Sequence, residues 1–190
     1  MSVALGEEGN VIALRTSEAG GKVAEEINIL ITEALEEIGR SERDITEIIV
    51  GTGPGSFTGV RTGIAAALGF ASALAVPLYG VGVLRALAAS FGANDAVAAY
   101  RTASASENFV AVYKGDIEVV APCAIAVESF ERNVTEKADQ SVVFHQLNAG
   151  EAVARLICAM SMRLSEDVTP IYIKAVNART LVERGIASGK

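Results

Sequence analysis

Between Gly51 and Gly59 the chain reads Gly-Thr-Gly-Pro-Gly-Ser-Phe-Thr-Gly, the stretch whose residue types and spacing come nearest to doing chemistry. Glycines let a backbone approach a phosphate, and a helix starting behind them offers N–H groups that favour an anion. On that reading Gly53, Gly55, Ser56 and Thr58 are candidate nucleotide contacts. The pattern G-x-x-x-x-G-K-[ST] is not met, because no Lys follows any of these glycines. The pattern G-x-G-x-x-G is missed by one place, since the glycine after Gly53 and Gly55 is Gly59. A tight strand-to-helix turn, with Ser56 or Thr58 as N-cap, accounts for the same residues without a ligand.

Other chemistry finds fewer residues. Pro54, not Gly, stands two before Ser56, so the nucleophile pattern G-x-S-x-G is absent. One His, His145, and two Cys, Cys123 and Cys158, cannot make a four-ligand Cys/His zinc site. His145 lies in an apolar run and reads as a core or rim residue. Asp95, Asp116 and Asp139 fall at turns or helix ends, where Asp is expected for backbone reasons.

The elements that must hold this loop can be read from periodicity. Ser2–Leu5 and Val11–Arg15 read as a hairpin. Lys22–Arg40 reads as a helix, with Val23, Ile27, Leu30, Ile31, Ala34, Leu35 and Ile38 on one face and glutamates opposite. Ile29 is the apolar exception among those glutamates, and Gly39 is the stop signal. Strand Thr46–Val50, the glycine loop, helix Val60–Ala75 and strand Leu78–Val81 form a crossover unit, which implies a parallel pair. Helix Gly82–Ser90 follows. Beyond it come strands Ala96–Arg101, Asn108–Tyr113 and Ile117–Val120, with Lys114-Gly-Asp116 as a hairpin turn. A short helix near Val127–Arg132, strand Val142–His145, helix Gly150–Leu164, strand Ile171–Lys174 and a helical tail Asn177–Gly185 complete the reading. The boundary is placed near residue 93, giving lobes 1–93 and 94–190. Residues 1–95 carry 6 basic and 12 acidic side chains, and residues 96–190 carry 10 and 11.

The helix after the loop has two unlike sides. Val60, Ile64, Leu68, Phe70, Ala71 and Leu74 form the bulky one, expected to face inward. Thr62, Ala65, Ala66, Gly69, Ser72 and Ala73 form a strip with no charge and no large side chain, where a surface helix would carry Lys or Glu. Small residues let a second backbone come close, so the strip is a candidate partner interface; packing within the chain would explain it equally. Thr62–Leu84 is also an uncharged run of bilayer-spanning length, Arg85 being the first charge beyond it. Pro77 and Gly80 break it, and Leu78 onward reads as a strand, which favours a helix covered by protein.

Composition narrows the class. The chain has 190 residues, enough for a core that needs no staples. It is 51% hydrophobic with a mean hydropathy of +0.37, which excludes a disordered chain. The formal net charge of −7 and the lack of Trp make it a poor lone binder of nucleic acid. With two Cys and no basic-then-apolar opening segment, it is expected in a reducing cytoplasm.

Gly51 to Gly63 reads G-T-G-P-G-S-F-T-G-V-R-T-G and resembles the TsaB (YeaZ) family pattern G-x-G-P-G-S-F-T-G-x-R-x-G. The similarity continues through the Ala/Gly helix and Pro77–Val83, and more faintly at Arg101, Phe109–Tyr113 and Pro170–Lys174. The resemblance implies an α/β protein of the ASKHA (actin/Hsp70-like) class with two ribonuclease-H-like lobes. It implies a non-catalytic scaffold in making N6-threonylcarbamoyladenosine beside the tRNA anticodon. It further implies a TsaD-like catalytic paralogue and a TsaE-like ATPase as partners. ATP and metal would then sit on those subunits, with no intrinsic cofactor here, and tRNA would be met only through the complex. The partner interface would use Ile29, Thr62, Ala65, Ala66, Gly69, Ser72 and Ala73, and a homodimer could use the same helical face. An ASKHA-type ATPase or small-molecule kinase using the glycine loop is the alternative. Two departures stand out. Family members begin with a strand resembling I-L-A-I-D-T-S ahead of the run that here is Ser2–Leu5, so the first lobe is expected to lack its central strand. The family's D-A-R appears here as Ala99-Tyr100-Arg101.

Overall fold

A computed structural model describes residues 1–17, 23–91, 94–147, 153–158 and 166–173. β1 (Ser2–Glu7) and β2 (Asn10–Thr16) form an antiparallel hairpin whose turn residues Glu8 and Gly9 both have positive φ, 52° and 79°. Two positive φ values suit the right-handed twist of the strands, and Gly9 supplies one of them without strain. In α1 (Val23–Glu37), Ile27, Leu30, Ala34 and Leu35 are buried, as the 3.6-residue period requires. The Gly39 backbone is left-handed, with a φ of 62°, just past the helix end. Arg15 of β2 reaches α1 and donates to Glu37 at 2.7 Å. Lys22 lies outside the described residues.

β3 (Ile48–Gly51) and β4 (Leu78–Val81) are parallel, joined by α2 (Phe57–Leu74). Among the described residues no ladder joins β1 to β3. Instead α5 (Val153–Cys158) packs against both strands, and the Ala154 amide donates to Ser2 Oγ at 3.1 Å. The uncharged run Thr62–Leu84 is not one helix: α2 stops at Leu74, Ala75 turns left-handed, and β4 follows. Taken alone, α2 is long and apolar enough to cross a membrane. Seventeen per cent of it is buried, so much of its apolar surface faces outward here.

A four-stranded sheet has the order β7-β6-β5-β8, built from β5 (Ala96–Thr102), β6 (Glu107–Lys114), β7 (Ile117–Ala126) and β8 (Val143–Gln146). β8 runs parallel to β5, and the other pairs are antiparallel. Side chains alternate across the sheet. Val97, Ala99, Ala111 and Tyr113 face α3 (Val83–Ala89), while Ala98, Val110 and Val112 face α4 (Phe130–Ala138). Helices on both faces bury the sheet. Leu84 and Leu87 of α3 share one core with Val97 and Leu147, so packing is continuous across the expected lobe boundary.

Several sequence expectations need correction. α2 begins at Phe57 rather than Val60, because Ser56 caps it. β7 runs to Ala126 rather than Val120, and the short helix runs from Phe130 to Ala138 after a 3-10 turn at Val127–Ser129. Ile171–Ile173 join no ladder, and Lys174 lies outside the described residues. Most of Gly150–Leu164 beyond α5, and all of Asn177–Gly185, also lie outside them.

Candidate functional site

The glycine loop leaves β3 with its polar backbone already engaged. Thr52, 3% exposed, accepts a hydrogen bond on its carbonyl from the Ile171 amide at 2.8 Å. Gly53, at a φ of 104°, accepts from the Val83 amide at 2.7 Å. The Gly53–Pro54 peptide is cis, and the Pro54 carbonyl accepts from Arg101 Nη1 at 3.1 Å. Three consecutive carbonyls are therefore held by partners distant in the chain. Positive φ at Gly53 is open to glycine, and a Cβ there would lie 3.1 Å from the Ile171 carbonyl oxygen. Arg101 reaches across from β5, and its burial pulls the guanidinium below its ordinary pKa.

Ser56 is the N-cap of α2, its Oγ accepting from the Gly59 amide at 3.1 Å. A Cβ on Gly59 would stand 2.6 Å from that oxygen, so the cap and the glycine come as a pair. Ser56→Ala is expected to cost about 1 kcal/mol, a Tm drop of roughly 2–4 °C in a domain of this size, measured by thermal unfolding. Thr58 is exposed in the first turn and does not cap the helix.

Outside the loop, Phe57, Arg61 and Tyr172 make an exposed cluster. The Arg61 guanidinium carbon lies 4.2 Å from the Phe57 ring centroid, and its Nε donates to Tyr172 Oη at 3.1 Å. The Phe57 and Tyr172 rings are 5.3 Å apart.

α2 lies against α1, with Ile64 and Ala71 buried. Ala65, Gly69, Ser72 and Ala73 are exposed, while Thr62 and Ala66 are half-buried. Ile29 of α1 is 56% exposed. Leu68, expected on the inner side, is 48% exposed and flanks the small residues instead. The strip is thus open, and a Cβ on Gly69 would meet nothing within 4 Å. His145 is half-buried and stacked on Phe91, ring centroids 3.4 Å apart.

Sequence reasoning missed what closes over the loop. Residues 166–173 pass across β4 at Gly80, where a Cβ would clash with the Asp167 carbonyl oxygen. Glycine at an interior strand position is a signal of such close approach, and Gly80 could have been flagged on that ground. Among the described residues, no group of three or more His, Cys, Asp or Glu gathers as a metal site.

Comparison with known proteins agrees with this architecture. The family model for TsaD, tRNA N6-adenosine threonylcarbamoyltransferase, matches residues 17–179. An uncharacterised protein of Mycobacterium tuberculosis is 39% identical over 64 residues, which are 34% of this chain and 30% of that protein. The tRNA threonylcarbamoyladenosine biosynthesis protein TsaB of Escherichia coli is 42% identical over 59 residues, 31% of this chain and 26% of that protein. The aligned stretches thus span about a third or less of these relatives. A solved YeaZ structure from Pseudomonas aeruginosa superposes with a TM-score of 0.62, covering 90% of this chain and 93% of that one at 22% identity. With most of its length under one family model, and TsaB and YeaZ proteins among its relatives in sequence and shape, the chain belongs to the TsaD family and is kin to its TsaB (YeaZ) members.

Proposed function

We propose that this chain takes part in making N6-threonylcarbamoyladenosine in tRNA as a non-catalytic subunit that docks a TsaD-type paralogue through α1 and α2. The observation that carries the reading is the open side of α2. From Thr62 to Leu74 it has no charge, Leu68, Ala65, Gly69 and Ala73 are exposed, and so is Ile29 on the adjoining α1. Helices with small residues at the surface pack closely on a partner's helices. Two helices meeting two more make a four-helix contact, and the same patch on a second copy could pair symmetrically. On this reading tRNA, ATP and metal are handled by the partner subunits, among them a TsaE-type ATPase. The acidic balance of −7 is in keeping with that division. The paralogue from the same genome is expected to co-purify with this chain. Threonylcarbamoyl transfer to tRNA by this chain without the paralogue would overturn the reading.

The rival reading is an ASKHA-type ATPase whose phosphates lie on Gly53, Gly55, Ser56 and Thr58. Against it stands the cap, because Ser56 Oγ already takes the Gly59 amide, one of the N–H donors at the start of α2. Labelled ATP is expected to survive incubation with the pure chain and magnesium. Hydrolysis that disappears in Gly55→Val would favour the ATPase instead.

A further inference from the structure

Where α3, the β6–β7 hairpin and residues 171–173 meet, the surface sinks into an open concavity of about 460 Å³. Neither the glycine loop nor the exposed side of α2 uses it. Its floor is Arg85 on Tyr113. The Arg85 side chain is 15% exposed, with its guanidinium carbon 4.8 Å from the Tyr113 ring centroid. It donates to the Gly115 carbonyl at 2.5 Å and to Asp116 Oδ1 at 2.6 Å. The cation is therefore neutralised from within the chain. The charge that the concavity turns to solvent is carboxylate, beside a lining that is mostly apolar. The Asp116 side chain is 87% exposed and engages Arg85 through Oδ1. Glu118, also exposed, accepts one long hydrogen bond, 3.4 Å, from the Tyr113 hydroxyl. Pro122 and Ile171 add an apolar wall.

We propose that this concavity binds a basic side chain, arginine or lysine, presented by a partner polypeptide. Its cationic head lies between Asp116 and Glu118, and its methylene stem runs along Pro122 and Ile171, as long basic side chains do on apolar surface. A cation leaves the Arg85–Asp116 pair intact. An anion would have to displace Asp116 while facing Glu118. Burial, reinforced by the Glu118 charge, pushes the Tyr113 hydroxyl well above its ordinary pKa, so it stays a donor. The chain's net charge of −7 draws a basic partner from a distance.

The test titrates the full chain with acetyl-Gly-Arg-Gly-amide and follows backbone amides by NMR. The same peptide with Glu or norleucine in place of Arg serves as control. Saturable shifts at Asp116, Glu118 and Ile171 are expected with the Arg peptide alone. Glu118→Gln, at an exposed position, is expected to leave Tm unchanged and to weaken binding by about 1.4- to fivefold, the range of exposed charge pairs. Equal shifts from the norleucine or Glu peptide would overturn the proposal. So would an Arg-peptide affinity that is undiminished in Glu118→Gln and in Asp116→Asn.

Discussion

Gly69→Leu is expected to leave the monomer folded and to weaken its association with a TsaD-type paralogue by about 10-fold or more, since 1.4 kcal/mol is tenfold. Folding is spared because Gly69 is exposed and a Cβ there meets nothing within 4 Å. Replacing glycine inside a helix also raises intrinsic helix propensity, by about 1 kcal/mol at most. Association suffers because a leucine on the strip holds two helices apart and forfeits dispersion contacts along Ala65, Ser72 and Ala73. Overpacking at such contacts costs about 1–3 kcal/mol. Sedimentation of wild type and mutant, each mixed with the paralogue, reads the result. Association unchanged in a folded mutant would remove the strip from the interface, and with it the docking mode proposed above.

Gly80→Ala is expected to act in the opposite way, on folding rather than association. A Cβ at Gly80 clashes with the Asp167 carbonyl oxygen and stands 2.9 Å from Thr52 Cγ2. The first obstacle is backbone, so it cannot turn aside as a side chain would. Residues 166–173 must lift from β4, and the Ile171 amide then leaves the Thr52 carbonyl. A loss of about 3 kcal/mol follows from overpacking, or roughly 6–12 °C in Tm for a domain of this size. Thermal unfolding checks it, with Gly69→Ala as the matched control that is expected to hold or raise Tm. Equal Tm values for the two variants would mean that the crossing at Gly80 does not exist.

The contrast between these glycines shows where local sequence is enough. The hairpin, α1, the parallel pair β3 and β4, and the strands β5 and β6 were all legible, α1 because a buried face repeats every 3.6 residues in a helix and the strands because turn residues bound their β-prone runs. Ser56 as a cap was legible as one of two candidates, since capping acts within three residues. Leu68 was not: it belongs to an apolar run, and only the placement of α1 and α2 turned it outward at 48% exposure.

Periodicity cannot report contacts between residues far apart in the chain. Arg101 on the Pro54 carbonyl, Ile171 on Thr52 and Arg85 on Asp116 bridge 47, 119 and 31 positions. The glycine motif by itself therefore determined kinship and a strand-turn-helix. Where its carbonyls turned was decided by tertiary packing. Each buried carbonyl must find a donor, and in this fold Ile171, Val83 and Arg101 supply them.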